Sequence, residues 1–326
     1  MCILGINFLS FGSALPEGVV TNDDLSHMVE TNDEWIYTRT GIKQRHVAIN
    51  ETTVSLGTYA AEKAISKAGI DKNEIDLVVC ATITPDTSFP STAGMVRQKI
   101  GLRDIPALDV CGVACAGFIY AASVAQGLMA TGGYKTALVL GAETLSKITD
   151  WSDRSSCILF GDGAGAAILR SGDGNGIITY NLDGINDVDE YLICRYPASD
   201  SPFYKGEPVD YTKMKMNGNK VFTFGINSVI SGVTEMLSRS GLTADDIKWI
   251  VPHQANYRII SSAAHRLNIP VEKFYVNIDH VGNTSSASIP IALDEMTDKG
   301  LVQKGDKIIL VGFGGGLAAG SMLIEL

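Results

Sequence analysis

The segments AGIDKNEIDLVVCA (residues 68–81) and SGLTADDIKWIVPH (residues 240–253) decide the fold of this chain. In both, a run of helix-forming residues ends at a glycine, and a short acidic turn follows. An isoleucine then begins an apolar run that is typical of a buried strand. The two segments lie 172 residues apart. The chain therefore contains an internal repeat of a helix, a turn and a strand.

Two further pairs of segments match at the same offset. Lys135 in YKTALVLGA corresponds to Lys307 in GDKIILVGF, so a second strand repeats in register. Cys115 corresponds to Ala287 in GNTSSASIPIALDEM, and both positions lie in loops of small residues that run into a helix. Three matches at one offset indicate that the chain is a duplication.

We therefore predict an α/β protein built from two pseudo-duplicated halves, residues 1–171 and residues 172–326. Its continuous apolar strands (LVVCAT, ALVLGA, WIVPH and IILVGF) predict mostly parallel sheets that are buried on both faces. Two such halves would pack around shared helices. Ligand sites in such sheets favour the carboxyl ends of strands, so we expect the chemistry at the interface between the halves.

Composition and charge narrow the classes of function. The chain has 326 residues, 45% of them hydrophobic and 19% charged, which is typical of a compact globular enzyme. A net charge of -10 argues against nucleic-acid binding, because phosphate contacts need a basic face. The apolar start lacks a basic region and predicts a strand rather than an export signal. No stretch reaches the roughly 18 apolar residues of a membrane span, so we expect a cytoplasmic protein without membrane or nucleic-acid partners.

The cysteines show neither a disulfide framework nor a CxxC motif, and no HExxH motif occurs, so we predict no metal site. Most of the cysteines are expected to be reduced and buried. The six are Cys2, Cys80, Cys111, Cys115, Cys157 and Cys194.

Two of these cysteines stand four residues apart in DVCGVACAGFIYAAS (residues 109–123). Cys111 lies in an apolar stretch and is predicted to pack in the core. Cys115 precedes a helix predicted from Gly117 onward, where free N–H groups and the helix dipole favour a thiolate, with a pKa below the free value of about 8.5. The alternative for Cys115 is a small residue in a tight helix entry.

A histidine and an asparagine are the candidate partners of Cys115. His253 in VPHQAN ends a predicted buried strand, which places its imidazole at the rim of the sheet. Asn283 in HVGNTSSAS supplies an amide within a loop. A single histidine is more often structural, but the duplication brings all three residues toward one interface and favours a shared site.

Six segments together resemble one enzyme family, the β-ketoacyl-acyl carrier protein synthases III, which start type II fatty acid synthesis. In chain order they are TNDEWIYTRTGIKQRH (31–46), ACAGF (114–118), FGDGAGAA (160–167), VPHQANYRI (251–259), GNTSSASIP (282–290) and GFGGG (312–316). The resemblance implies the thiolase fold, a five-layered αβαβα duplication. It also implies a decarboxylative condensation of an acyl-CoA primer with malonyl-acyl carrier protein, through an acyl-cysteine.

The resemblance also assigns the catalytic groups. Cys115 is similar to the acylated nucleophile, and His253 and Asn283 are similar to the pair that activates the malonyl thioester. The backbone N–H groups of Cys115 and Gly315 would form the oxyanion hole. The run from Asp109 to Cys115 is one residue longer than the family pattern, which predicts a bulge beside the nucleophile.

Substrate contacts follow from the same resemblance. Trp35, Arg39, Arg154 and Asn219 are similar to residues that bind coenzyme A, which enters as a thioester substrate, so no cofactor is expected. Trp35 and Arg154 would sandwich the adenine, although the pattern DEWIYTRT by itself favours an ordinary amphipathic helix.

The acyl pocket and the partners complete the assignment. Phe89 is similar to a residue that the partner subunit of a homodimer inserts into the acyl pocket, and Phe313 would lie near it. Arg258, His265 and Arg266 would form one basic helix face that docks the acyl carrier protein, assisted by Lys215 and Lys220. Without the resemblance, this face would be an ordinary solvated one.

Other functions remain as alternatives. A secondary-metabolite starter enzyme of a polyketide or quinolone pathway would share the motifs. A noncatalytic module that binds acyl carrier protein would share the fold, and a thiol redox sensor would use Cys111 and Cys115. A thiolase needs a second catalytic cysteine near the carboxyl terminus, and GFGGGLAAG has none.

Overall fold

A computed structural model of the chain describes residues 5–195, 202–203 and 213–326, so Cys2 lies outside the described residues. The strands are β1 (Gly5–Ala14), β2 (Gly18–Thr21), β3 (Gln44–Val47), β4 (Leu77–Ala81), β5 (Ala107–Val110), β6 (Thr136–Glu143), β7 (Gly163–Gly172), β8 (Ile177–Gly184), β9 (Leu192–Ile193), β10 (Lys215–Met216), β11 (Trp249–Pro252), β12 (Lys307–Gly314) and β13 (Ala318–Glu325).

The α-helices lie between these strands. They are α1 (Asn22–Ser26), α2 (Asp33–Thr40), α3 (Thr53–Ala68), α4 (Thr92–Ile100), α5 (Gly117–Gly132), α6 (Arg154–Cys157), α7 (Gly218–Ser240), α8 (Tyr257–Leu267), α9 (Ile278–Val281) and α10 (Ser288–Asp298). Short 3₁₀ turns at Ala114–Ala116 and Ser285–Ala287 lead into α5 and α10.

Two mixed sheets form the frame of the molecule. The first has the strand order β1-β7-β6-β4-β5 and the second has the order β11-β12-β13-β8. Strands β4, β5 and β6 run parallel, as do β11 and β12, whereas β7 and β13 are antiparallel to their neighbours. The prediction of mostly parallel sheets was therefore wrong. Helical crossovers make neighbouring strands parallel, whereas the three-residue connection from β12 to β13 forces a hairpin.

The helices and sheets stack in five layers. Helices α3 and α4 cover the outer face of the first sheet, and α7 and α8 cover the outer face of the second. Helices α5 and α10 lie between the two sheets and contact strands of both. The order is αβαβα, which confirms the predicted fold class.

The repeat appears in the structure at the predicted places. Helices α3 and α7 both end at a glycine in the left-handed conformation, Gly69 (φ 63°) and Gly241 (φ 69°). The strands that follow, β4 and β11, both occupy buried positions. Glycine adopts this backbone without the strain that a side chain would cause. The glycine at the end of each helix therefore made the repeat recognisable in the sequence.

The register changes by one residue at the loops that enter the central helices. Ala114 (φ 41°) and Ser285 (φ 50°) begin the two 3₁₀ turns, and both are non-glycine residues with a left-handed backbone. These positions are 171 residues apart rather than 172. Cys115 therefore corresponds to Ser286, and the predicted match with Ala287 was wrong by one position.

One helical stretch among the described residues, Ala114–Gly132, is long and apolar enough to cross a membrane by length and composition alone. It contains α5, and more than half of it is buried inside the molecule. Its position between the two sheets explains its apolar composition, since a central helix faces apolar neighbours on both sides.

Candidate active site

Cys115 lies in the 3₁₀ turn that leads into α5, as predicted for a residue at a helix start. Its side chain is buried, and burial raises the pKa of the thiol to about 12. The nearby Glu143 carboxylate raises it as well, whereas the Ser285 hydroxyl and the Cys115 backbone N–H lower it. The expectation of a pKa below the free value was therefore wrong. Burial removes the water that would stabilise a thiolate, and this effect on the pKa is larger than the stabilisation by the helix start. The free protein therefore holds a thiol.

Cys111 is exposed, so its predicted core packing was wrong. Strands β4 and β5 keep an uninterrupted register from Val78 opposite Ala107 to Ala81 opposite Val110. The residues between β5 and Cys115 form a turn in which Gly112 adopts φ 80°. The turn carries the Cys111 side chain outward, and the predicted bulge is a turn rather than a strand irregularity.

His253 follows β11 directly, and its backbone N–H donates to the Val311 carbonyl at 2.7 Å. The ring is buried, and burial lowers the pKa of His253 to about 3, so the imidazole is neutral. Nδ1 lies 2.7 Å from Ser288 Oγ, which also accepts the Gln254 N–H at 3.4 Å. The hydroxyl hydrogen of Ser288 is then free to bind Nδ1, and we assign the ring proton to Nε2.

Asn283 is held by its backbone and by one end of its amide. Its N–H donates to the Leu159 carbonyl at 3.0 Å, and its carbonyl accepts the Gly161 N–H at 2.9 Å. Asn283 Oδ1 accepts the Ser285 N–H at 3.0 Å. The acceptor end of the amide is thus occupied within the loop, which leaves Nδ2 as the donor toward a substrate.

Strand β12 and the second 3₁₀ turn bring these residues together. A Cβ on Gly314 would lie only 2.6 Å from the Cys115 nitrogen, so the backbone of β12 touches the nucleophile turn. The preceding residue, Phe313, is 2% exposed and packs edge-on against the His253 ring, with centroids 5.3 Å apart. The turn Ser285–Ala287, next to Asn283, contacts the turn Ala114–Ala116. Packing therefore brings the loops that carry Cys115, His253 and Asn283 together, and all three side chains are buried.

Several residues of this site were missed by the sequence reasoning. Gly314 permits the close approach to Cys115, Ser285 orients the Asn283 amide, and Ser288 faces the His253 ring. The motifs GFGGG and SSAS contain all three, but a motif of small residues does not show which member makes which contact. Across the described ranges, no cluster of three or more His, Cys, Asp or Glu side chains could hold a metal ion.

Three of the four predicted coenzyme A residues lie on the surface around α2. Trp35 is half-buried in this helix, and the guanidinium carbons of Arg39 and Arg154 lie 4.4 and 4.6 Å from the centroid of its indole ring. Arg154 also donates to the Glu30 carbonyl at 2.8 Å. Arg154 therefore stacks directly on Trp35, and it would have to move away for an adenine to enter between them. Asn219 is exposed in the first turn of α7.

The remaining predicted contacts divide between surface and core. Phe89 is 86% exposed, whereas Phe313 is buried beside His253. The three residues of the predicted basic face are all exposed on α8, and Lys215 and Lys220 are exposed as well. The face consists of Arg258, His265 and Arg266.

Comparison with known proteins identifies the family. Residues 109–184 match the family model of 3-oxoacyl-[acyl-carrier-protein (ACP)] synthase III, and residues 237–326 match the model of its C-terminal part. The β-ketoacyl-[acyl-carrier-protein] synthase III of Clostridium acetobutylicum is 48% identical over 320 residues, which cover 98% of each chain. The chain belongs to the 3-oxoacyl-[acyl-carrier-protein] synthase III family. It is therefore a condensing enzyme of the acyltransferase type.

Solved structures agree with this family. The crystal structure of 3-oxoacyl-[acyl-carrier-protein] synthase III from Aquifex aeolicus VF5 matches this chain with a TM-score of 0.91 and 40% identity. The match covers 99% of this chain and 100% of that chain. The priming β-ketosynthase from the R1128 polyketide pathway also has a TM-score of 0.91, with 34% identity and 99% and 96% coverage. The fold is thus shared by a 3-oxoacyl-[acyl-carrier-protein] synthase III and by a priming enzyme of a polyketide pathway.

Proposed function

We propose that the enzyme condenses an acyl-CoA primer with malonyl-acyl carrier protein to start fatty acid synthesis, with Cys115 as nucleophile and His253 and Asn283 as oxyanion donors. The observation that supports this most directly is the shared buried site. A thiol at a helix start lies in it together with two neutral N–H donors. Such a set can form a thioester and then stabilise an enolate.

In the first half-reaction, the Cys115 sulfur attacks the thioester carbonyl of the primer. The bond between this carbonyl and the coenzyme A sulfur breaks, and the thiol proton of Cys115 ends on coenzyme A. Backbone N–H groups of Cys115 and Gly315 stabilise the tetrahedral oxyanion. Because burial holds the pKa of the thiol high, the free enzyme holds a thiol whose proton has to leave the sulfur in the course of acyl transfer.

In the second half-reaction, malonyl-acyl carrier protein loses carbon dioxide, and negative charge develops on its thioester oxygen. His253 Nε2–H and Asn283 Nδ2–H donate to this oxygen, and each preorganised donor contributes about 3 kcal/mol. The enolate carbon then attacks the acyl-cysteine carbonyl, the new carbon–carbon bond forms, and the Cys115 thiolate leaves and takes up a proton. A neutral imidazole suits this step, since it stabilises charge without giving up its proton.

Coenzyme A enters as substrate, and no step of this reaction needs a metal or an organic cofactor. We assign its adenine to a position between Trp35 and Arg154 that opens when Arg154 leaves the indole ring, its phosphates to Arg39 and its pantetheine arm to Asn219. The short distances from both guanidinium groups to the indole ring support a site that stacks a flat aromatic group. Arg154 would form one side of this adenine site and would move to admit the ring.

We further propose a homodimer in which Phe89 enters the acyl pocket of the partner subunit, close to that subunit's Phe313. An aromatic side chain that is 86% exposed is unusual in a monomer, and β5 lies at an edge of the first sheet, where a second copy could pair with it. The large side chains favour short primers.

The acyl carrier protein would dock on the basic face of α8. An acidic enzyme needs such a local patch to attract an acidic partner, and electrostatic docking acts mainly on the association rate. The three residues of the face are exposed on one side of the helix, which supports this assignment. We place the whole reaction in the cytoplasm.

Mass spectrometry after addition of acetyl-CoA tests the proposal. We expect an acetyl group on the Cys115 peptide and none on the Cys111 peptide. Cys115→Ala should abolish acetylation and condensation, whereas Cys111→Ala should leave both within about threefold, because an exposed thiol outside the site takes no part. An acetyl group on Cys111 with none on Cys115 would overturn the assignment.

A panel of acyl-CoA primers with malonyl-acyl carrier protein then separates the two kinds of starter enzyme. Preference for acetyl-CoA, or for another short primer, supports fatty acid initiation. Preference for a longer or aromatic primer instead supports a starter enzyme of a secondary-metabolite pathway.

A further inference from the structure

A fully buried carboxylate lies beneath the candidate active site and has no part in the reaction described above. Glu143 is the last residue of β6 and is 0% exposed. Its Oε2 accepts from the Thr84 hydroxyl at 2.7 Å, the Ile83 N–H at 3.0 Å and the Thr82 hydroxyl at 3.2 Å. Within the described part of the chain, no Lys, Arg or His forms an ion pair with it.

The other carboxylate oxygen reaches across to the second half of the molecule. Glu143 Oε1 accepts from the Ser286 hydroxyl at 2.7 Å. Ser286 follows Ser285, whose N–H holds the acceptor end of the Asn283 amide. Two hydrogen bonds and one peptide unit therefore connect Glu143 to the donor that faces the substrate.

The backbone around Ser286 is tightly enclosed. A Cβ on Gly141 would lie 2.2 Å from the Ser286 carbonyl oxygen, and a Cβ on Gly117 would lie 3.0 Å from the Ser286 Cβ. The Ser286 hydroxyl also lies 3.1 Å from the Ala81 carbonyl oxygen, at the end of β4. Packing thus limits how far the turn can approach the first sheet, and the hydrogen bond that Ser286 donates to Glu143 holds the turn in that place.

The burial of Glu143 lowers the stability of the fold. A buried carboxylate without a counter-ion destabilises the folded state, and an apolar side chain of similar volume would often be more stable at such a place. Burial raises the pKa of Glu143, while the hydrogen bonds from Thr84, Ser286 and the Ile83 N–H lower it. Stability therefore does not explain why a carboxylate is buried here, whereas a role in placing active-site groups does.

We propose that Glu143 is a positioning residue for the condensation half-reaction: by holding Ser286 it sets the place of the Asn283 amide relative to Cys115. This inference rests on the proposed function, because it gives the amide a substrate to meet. It predicts that loss of Glu143 harms condensation far more than acyl transfer. Acyl transfer uses Cys115 and backbone donors, whereas the enolate depends on the Asn283 amide.

Three variants test the proposal through the two half-reactions, each followed in a single turnover. Glu143→Met fills the same space without accepting a hydrogen bond, and it should slow condensation about 30- to 100-fold, since a misplacement of about 1 Å can cost that much. Acetylation of Cys115 should not fall by more than about fivefold, since loss of the Glu143 charge also removes one cause of the high pKa of the thiol. Glu143→Gln, which can still bind Ser286 through its amide, should retain condensation within about fivefold.

Ser286→Ala removes the partner and leaves the carboxylate, so it should reproduce the selective loss of condensation. The double variant with Glu143→Met should lose no more than the worse single variant, because both changes break one connection. If Glu143→Met does not fold, Ser286→Ala decides alone. Ser123→Ala, which deletes a buried hydroxyl that donates to the Ile119 carbonyl within α5, is the matched control and should leave the ratio of the two rates unchanged.

Equal slowing of both half-reactions, parental condensation by Ser286→Ala, or additive losses in the double variant would overturn the proposal. A parent enzyme that is not acetylated on Cys115 would instead refute the proposed function. The two failures are therefore distinguishable in the same experiment.

Discussion

Replacement of Asn283 by alanine separates the two half-reactions, because the amide makes two different contacts. Oδ1 accepts the Ser285 N–H at 3.0 Å, and Nδ2 is left to donate to the enolate oxygen. The residue is 5% exposed, so water does not readily replace either contact.

The expected magnitude follows from these contacts. Loss of one preorganised donor costs about 3 kcal/mol of transition-state stabilisation, which is a factor of about 150 in the rate of condensation. The unpaired Ser285 N–H lowers the free energy of unfolding by about 1–3 kcal/mol. Acyl transfer to Cys115 should fall less than about fivefold, because the amide does not act on the primer oxyanion.

Single-turnover assays measure each step. Radiolabelled acetyl-CoA reports acyl transfer, and the mass of the β-ketoacyl carrier protein reports condensation by the preformed acyl-enzyme. Asn283→Asp is the control, since it keeps the acceptor for Ser285 and lacks the donor. It should not recover condensation, and its buried carboxylate should lower the free energy of unfolding in its own right. Recovery of condensation by Asn283→Asp, or equal loss of both steps in Asn283→Ala, would refute the assigned donor role.

Three further outcomes are expected. Arg258→Glu combined with Arg266→Glu should raise KM for malonyl-acyl carrier protein and flatten its salt dependence, with acetylation unchanged; parental KM at low salt would place docking elsewhere. Light scattering at micromolar concentration should show a dimer, and an active monomer would remove the partner role of Phe89. Gly314→Ala should lower the free energy of unfolding by about 1–3 kcal/mol and slow acetylation at least about tenfold, because its Cβ would lie 2.6 Å from a backbone nitrogen. Gly184→Ala, whose Cβ would meet no described atom within 4 Å, should match the parent in both measurements.

Local patterns of the sequence were enough to predict an α/β duplication, whereas the five-layered fold and the roles of the site residues followed from the family resemblance. Helix ends marked by Gly69 and Gly241 and the apolar runs after them predicted the repeat, because glycine caps and strand periodicity act over a few residues. The start of α5 at Gly117 and the helical course of α8 were predicted for the same reason, and the structure confirms both.

Properties that depend on distant neighbours were decided only by the tertiary structure. Burial by both halves raises the pKa of the Cys115 thiol, whereas the helix start alone had predicted a lower value. A turn after β5 exposes Cys111, although its apolar sequence neighbours had predicted a core position. Desolvation depends on what packs around a group, and short sequence context does not contain that information.

The sequence by itself determined which chemical groups the enzyme has and where each stands on its helix, strand or loop, because these follow from short-range propensity and motif. The tertiary structure alone decided how those groups are presented. It placed Ser288 against His253 and joined Glu143 to Ser286 across 143 positions of the chain. Hydrogen bonds between residues so far apart form only when both halves have folded together, since a long loop must close before either partner gains the contact.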